Sequence, residues 1–165
     1  MALTRAIFGP GNNSQVSIKA DIRSAVSQSD TIMLLESGLG LTNSSLRGDD
    51  TEFKAVDFKG GSFLGPNTGF LVNSGTNSSD LEISTIIEEL KLGDAANPLT
   101  ANDSLFYLTD NGTDSRLFKF LDQNGNADVD DGEATAIATF EGVSNAIVIT
   151  DDFVIDFSAS GGSGF

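Results

Sequence analysis

The chain lacks cysteine, histidine and tryptophan, and it contains a single tyrosine among 165 residues. Without cysteine, neither a disulfide scaffold nor a structural zinc site built on thiolates can form. Without histidine, the commonest general base and the usual transition-metal ligand are both missing. Any metal that this protein binds is therefore expected to be a hard cation held by oxygen atoms.

Positive charge is also scarce, because 9 lysines and arginines face 24 acidic residues, for a net charge of −15. No lysine or arginine follows Lys119, whereas acidic residues continue as far as Asp156. This balance argues against nucleic acid and anionic membranes as partners, since both need a basic surface. Such an acidic block repels itself unless cations neutralise it, and divalent ions are the natural candidates.

Long apolar runs are missing as well. The N-terminal "MALTRAIFGPGNNSQ" has no stretch of secretory length, and no segment is long enough to cross a membrane. We therefore expect no membrane insertion. Taken alone, these absences indicate a cytoplasmic protein, with a C-terminal export signal as the other possibility.

The length and composition favour one mainly β domain over residues 1–165. Glycine, asparagine, serine, threonine and aspartate are abundant, which is typical of turn-rich β structure. We predict antiparallel sheets, arranged as a β-sandwich or a β-roll, with one amphipathic helix near residues 80–92. Residues 158–165 form a glycine- and serine-rich tail.

The helix prediction rests on spacing. Ser79 precedes Glu82 by three residues, as in a capping box, with Asp80 in the predicted first turn and Gly93 as the stop. The apolar residues of this segment recur at helical spacing, which predicts a core-facing stripe: Ile83, Ile86, Ile87 and Leu90.

Strand signals dominate elsewhere. "SLFYLTDNGTDSRLFKFL" predicts a hairpin that turns at Asp110-Asn111-Gly112, and "TAIATFEGV" and "AIVITDDFVIDF" predict two further strands. Upstream, three segments predict short strands: "EFKAVDFKG", "GFLVNSG" and "DTIMLLE". The segment from Val16 to Val26 fits a strand followed by a short helix.

The segment Asp122–Glu133, "DQNGNADVDDGE", carries the clearest candidate site. Counted from Asp122, side-chain oxygens stand at positions one, three, five, seven, nine and twelve: Asp122, Asn124, Asn126, Asp128, Asp130 and Glu133. This is the spacing of a calcium loop of the EF-hand type, in which alternate residues turn oxygens toward one ion. Val129 at the eighth position is expected to anchor the loop to its neighbours.

Two features depart from that pattern. Ala127 stands at the sixth position, where a sharp turn favours glycine, and a side chain at positive φ costs about 1 kcal/mol or more. The flanking runs "RLFKFL" and "ATAIATF" predict strands rather than helices. Two interpretations remain open: a site for Ca²⁺ or a similar hard cation, and a solvated acidic turn.

The region from Ala96 to Phe157 resembles the C-terminal part of RTX or haemolysin-type calcium-binding proteins, which bacteria export by type I secretion. The resemblance lies in the order of short elements: "LFY", "DNGTD", "LFKF", the acidic loop, "IATFEGV" and "ITDDFVI". It implies export by the type I secretion machinery through an uncleaved C-terminal signal, an extracellular location and folding supported by calcium. The glycine-rich nonapeptide repeats of that group are absent, so their calcium sites are not carried over, and the resemblance implies a calcium site only at the loop Asp122–Glu133.

These expectations favour a secreted structural protein over an enzyme. Without histidine or cysteine, and with carboxylates concentrated in turns, no catalytic constellation is expected. We expect a calcium-binding homo-oligomer or homopolymer that assembles into a surface layer, filament or matrix. The alternative is a calcium-dependent adhesion or carbohydrate-binding module, although sugar sites usually stack on tryptophan and tyrosine.

Overall fold

The structure is a computed structural model. It describes residues 53–58, 64, 68–130, 132–147 and 150, and the backbone of short strands at 6–8, 16–18, 32–35 and 153–156. The predicted tail at 158–165 and the short helix predicted after Ile18 lie outside these residues.

Within the described residues the protein is mainly β, as predicted, with a single short helix. The strands are β1 (Ala6–Phe8), β2 (Val16–Ile18), β3 (Ile32–Leu35), β4 (Lys54–Val56), β5 (Phe70–Asn73), β6 (Ser104–Asp110), β7 (Ser115–Leu121), β8 (Ala134–Phe140) and β9 (Phe153–Asp156). The helix, α1 (Ile83–Leu90), lies between β5 and β6.

The strands form two sheets, of order β1-β3-β9 and β2-β8-β7-β6-β5-β4. Strands β6, β7 and β8 make an antiparallel meander, as expected. All other described pairs are parallel, so the prediction of antiparallel sheets is wrong for them. The clearest case is β5 with β6, because the connection between them carries α1, and such a long crossover returns the chain in the same direction.

The predicted hairpin is confirmed between β6 and β7. Asp110 pairs with Ser115 across the turn, and Gly112 adopts a φ of 83°, which glycine accommodates without steric cost. The backbone N–H of Asn111 donates to the carbonyl of Asp114 at 3.1 Å, and the N–H of Gly112 donates to the Asp110 carboxylate at 3.0 Å. Local turn chemistry therefore sets the register of these two strands.

Strand β6 is the centre of the core, since all seven of its residues are buried. Its face toward α1 belongs to a cluster with neighbouring strands and the helix: Leu71, Ile86, Leu90, Leu105, Tyr107, Phe118 and Phe120. On the opposite face, Phe70 and Phe106 stack with their ring centroids 5.0 Å apart, and both are buried. Strand β6, the neighbour of β7 in the sheet, is therefore held by apolar packing on both faces.

Helix α1 has the predicted apolar face, because Ile86 and Leu90 are fully buried. The predicted ends are wrong. Glu82 is the N-cap and makes no side-chain capping bond, so there is no capping box with Ser79. Instead, the Asp80 carboxylate accepts the N–H of Glu82 at 2.9 Å. The helix ends at Leu90 because Lys91 turns to a left-handed φ of 47°.

Among the described residues, no helix combines the length and apolarity needed to cross a bilayer.

Candidate metal site

The loop Asp122–Glu133 joins two antiparallel neighbours, β7 and β8. Where the loop meets the two strands, the N–H of Leu121 donates to the carbonyl of Glu133 at 2.9 Å, which extends the strand pairing by one hydrogen bond. The flanks are strands, as predicted, and not the helices of an EF-hand. Because the sheet fixes both ends, the loop closes into a short ring. The structure describes every residue of this ring except Asp131.

Asp122 organises the interior of this ring. Its side chain is 1% exposed, and its two carboxylate oxygens accept four backbone N–H groups. Oδ1 accepts from Gly125 at 2.7 Å and Asn126 at 3.2 Å, and Oδ2 accepts from Ala127 at 2.8 Å and Asn102 at 3.1 Å. Burial alone would raise the pKa of Asp122, but these donors outweigh it and hold the pKa below the ordinary value of 3.8.

Glu133 closes the ring from its other end. Its side chain is buried, and Oε1 accepts the backbone N–H groups of Gln123 at 2.8 Å and Asn124 at 3.2 Å. Its Oε2 accepts the N–H of Asp130 at 2.9 Å. The first and twelfth positions of the predicted ligand set therefore both point into the loop, where they hold its backbone in shape.

Three other predicted ligands meet at the exposed mouth of the loop. The side-chain amides of Asn124 and Asn126 each donate to Oδ2 of Asp130 at 2.7 Å. The Oδ1 of Asn124 accepts the N–H of Asn126 at 2.8 Å, and the Oδ1 of Asn126 accepts the N–H of Asp128 at 2.9 Å. Positions three, five and nine are thus brought together by the fold.

Asp128, at position seven, does not join them. Its carboxylate is exposed and accepts the N–H of the next residue, Val129, at 2.8 Å. It lies beside Gly93, where an added Cβ would be 2.9 Å from the Cα of Asp128. This contact places the loop against the turn that follows α1. Position seven of such loops ordinarily contributes its backbone carbonyl, so the orientation of this carboxylate is compatible with the predicted role.

The eighth position packs as predicted, and the sixth adopts a left-handed conformation although it is alanine and not glycine. Ala127 adopts a left-handed φ of 65°, and Gly125 a φ of 74°. Val129 is 8% exposed and belongs to the core cluster, against which Ala127 also packs. The strained turn at Ala127 persists because its N–H is held by Asp122 on one side and the chain is anchored at Val129 on the other.

Two residues outside the loop support it and were not predicted. The N–H of Asn102 donates to Asp122, and the N–H of Asp122 donates to the carbonyl of Asp103 at 3.0 Å. Asn102 has a φ of 67°, a conformation that asparagine tolerates better than most residues. The sequence "TANDS" could have indicated a turn, but its contact with a loop twenty residues away depends on the packing of β6 beside β7.

The donor set consists of carboxylate and amide oxygens, which suits a hard cation such as Ca²⁺. Among the described residues, no three acidic side chains are grouped as metal ligands, so an ion here would need amide and carbonyl oxygens as well. A carboxylate offers about four acceptor positions, and Asp122 already uses four. To bind an ion directly, Asp122 must give up its hydrogen bond with one of these backbone N–H groups. Glu133 still has one acceptor position available for an ion.

Comparison with known proteins finds no matching family model, no matching curated protein and no matching solved structure.

Proposed function

We propose that the loop Asp122–Glu133 binds Ca²⁺, and that the protein is a secreted structural protein whose folding and self-assembly depend on that ion. The observation that carries the proposal is the φ of 65° at Ala127. Calcium loops of this length turn sharply at the sixth position, where glycine is usual. Here the chain makes that turn despite a side chain that opposes it, and such strain is concentrated at functional sites.

The ion would be held at the mouth of the loop. Asp130 supplies an exposed carboxylate there, and Asn124 and Asn126 already contact it through their amides. Rotation of each amide would replace its NH₂ group by an oxygen of nearly the same size and position, and would release the backbone N–H group that this oxygen now accepts. Glu133 would contribute its remaining acceptor position. Asp122 would contribute a carboxylate oxygen that no longer accepts a backbone N–H group, and Asp128 would contribute its backbone carbonyl. Calcium would supply charge neutralisation and a fixed centre for these oxygens.

Charge connects the ion to assembly. A protomer with a net charge of −15 repels its copies, and salt screens exposed charges only beyond about 8–10 Å. A bound Ca²⁺ cancels two charges locally and orders the loop at the edge of the β7–β8 pair. The resemblance to type I secretion substrates supports the extracellular location, where calcium is plentiful.

The carbohydrate-binding alternative has less support. Sugar sites usually present an exposed aromatic ring, yet the single tyrosine of the chain, Tyr107, is 1% exposed. Most of the described phenylalanines are also buried, including Phe106, Phe118 and Phe140. The structural role is therefore the better proposal.

Thermal melting of Asp130→Asn tests the ion site. The carboxylate of Asp130 accepts only side-chain amides and is exposed, so its loss should leave the melting temperature in chelator unchanged. In calcium the wild type should gain stability, by about 2.7 kcal/mol when free Ca²⁺ is a hundredfold above Kd. Asp130→Asn should lose most of this gain. Glu88→Gln, which removes one exposed carboxylate from α1, is the matched control and should keep it.

Identical melting of the wild type in calcium and in chelator would rule out the ion site. Light scattering and negative-stain microscopy of the wild type test assembly separately. A protein that gains stability in millimolar calcium and yet stays monomeric at high concentration would retain the ion site and exclude the structural polymer.

A further inference from the structure

The connection from α1 to β6 contacts the acidic loop near both of its own ends. Near β6, the N–H of Asn102 donates to the Asp122 carboxylate at 3.1 Å, and the N–H of Asp122 donates to the carbonyl of Asp103 at 3.0 Å. Near α1, Gly93 lies directly against Asp128. Two separate contacts therefore join the connection to the first and the seventh positions of the loop.

The contact at Gly93 leaves no room for a side chain. A Cβ added there would overlap the Asp128 carboxylate, meeting its Oδ1 and, at 2.9 Å, its Cγ. It would also stand 2.9 Å from the Cα of Asp128, closer than Cβ atoms come to other heavy atoms in proteins. A carboxylate can rotate out of such a contact, but a Cα moves only with the backbone of the loop. Glycine therefore lets the main chain of Asp128 approach the turn that follows α1.

The turn at Gly93 is itself held firmly. The N–H of Gly93 donates to the carbonyl of Asn97 at 2.9 Å, and the buried side-chain amide of Asn97 donates to the carbonyl of Leu90 at 3.2 Å, at the end of α1. Leu92, which precedes Gly93, is 4% exposed and belongs to the core cluster. A side chain added at Gly93 would therefore displace the exposed Asp128 before it displaced the turn.

We infer that Gly93 is a positioning residue for the ion, and that ion binding in the loop is coupled to the order of the connection from α1 to β6. This inference rests on the calcium site proposed above. The seventh position of a calcium loop contributes its backbone carbonyl, so the ion depends on where the main chain of Asp128 lies. Because coupling between two sites is reciprocal, an ion that fixes Asp128 also holds the turn, and a disturbed turn weakens ion binding.

Calcium titration of two full-length glycine variants tests the positioning role. Gly93→Ala and Gly112→Ala both place a side chain at positive φ, of 88° and 83°, so both carry similar backbone strain and should melt below the wild type in chelator. At Gly112, which lies at the opposite end of β7 from the loop, the added Cβ would meet the movable end of the Asn77 side chain. By isothermal titration calorimetry, Gly93→Ala should raise the Kd for Ca²⁺ about tenfold, whereas Gly112→Ala should leave it unchanged.

Proteolysis of the wild type tests the coupling without any variant. Lys91 is exposed and is the only lysine or arginine between Lys59 and Arg116, so cleavage after it gives a defined fragment. Cleavage in the native state requires the connection to open locally. With a lysine-specific protease that does not require calcium, Ca²⁺ should slow cleavage at Lys91 more than at Lys54, which lies on the edge strand β4.

The outcomes separate this coupling from the ion site itself. If the wild type binds Ca²⁺ and Gly93→Ala binds it with the same Kd, the coupling is overturned and the ion site stands. The same holds if Ca²⁺ slows cleavage at both lysines by one common factor, because the ion would then act on the whole fold. A wild type that binds no Ca²⁺ in the titration overturns the ion site and the coupling together. Where Gly93→Ala fails to fold, the proteolysis of the wild type decides.

Discussion

Replacing Ala127 by glycine should stabilise the acidic loop, because Ala127 holds a left-handed φ of 65° that its Cβ disfavours. The substitution leaves every charge and every loop hydrogen bond in place. It therefore separates backbone strain from electrostatics at the candidate site.

The magnitude follows from three opposing contributions. Relief of the left-handed conformation stabilises the folded state by about 1–2 kcal/mol. Glycine gives the unfolded chain more freedom, which costs about 0.4–1 kcal/mol. Ala127 is half-buried against the core cluster, so the lost methyl contact costs about 0.4 kcal/mol, half the value of a fully buried methylene. We expect a net gain of about 0.5 kcal/mol, or about 1–2 °C in melting temperature.

Gly125→Ala is the reciprocal control. Gly125 has a φ of 74°, and an added Cβ would meet Asn102 and Ala101 at 3.7–3.9 Å, which is ordinary contact. Any cost is therefore conformational, and we expect a loss of about 0.5–1 kcal/mol. Calorimetry of both variants in chelator should show shifts of opposite sign. If Gly125→Ala melts at or above the wild type, the left-handed turn is wrong; if Ala127→Gly melts lower, methyl packing outweighs strain.

Three further predictions concern the acidic loop and the β7–β8 pair that carries it. Because the pKa of Asp122 is lowered in the folded state, its contribution to stability should be complete above pH 3.8 and should be lost as the pH falls further. Acid titrations followed by circular dichroism test this. Asp122→Asn should be less stable than the wild type at neutral pH, and the difference should disappear in acid. Val129→Ala should cost about 1–3 kcal/mol in urea unfolding, whereas a solvated turn would tolerate it. Arg116→Lys should cost about 1–3 kcal/mol, since Arg116 donates both to the Leu81 carbonyl at 2.8 Å and to Thr139 at 2.9 Å; an unchanged midpoint would mean that these bonds add nothing.

Features governed by residues close together in the chain could be predicted from the sequence. The hairpin at Asp110-Asn111-Gly112 follows from turn chemistry, and the buried face of α1 follows from the helical spacing of Ile86 and Leu90. The anchor at Val129 was likewise expected from the twelve-residue spacing, whereas the left-handed turn at Ala127, where the pattern asks for glycine, was not.

The ends of α1 show where local patterns fail. Ser79 and Glu82 have the spacing of a capping box, but the Ser79 N–H bonds to Glu89 and Asp80 accepts the N–H of Glu82. The connection is thereby held in an extended form until Glu82, and the helix begins three residues later than a cap at Ser79 would place it. Competing side-chain acceptors, close in space but not fixed by spacing, decided the boundary.

The sequence by itself determined the oxygen-rich donor set, the acidic charge and the mainly β character, because each depends only on which residues are present and how they alternate. Only the tertiary structure decided that β4, β5 and β6 run parallel, because pairing direction depends on how a distant segment returns to the sheet. It also decided that Asp122 and Glu133 turn inward to hold the loop backbone while Asn124, Asn126 and Asp130 meet at its mouth. It alone supplies the bond from Asn102 to Asp122, because that contact requires β6 to pack beside β7 and no spacing within the loop encodes it.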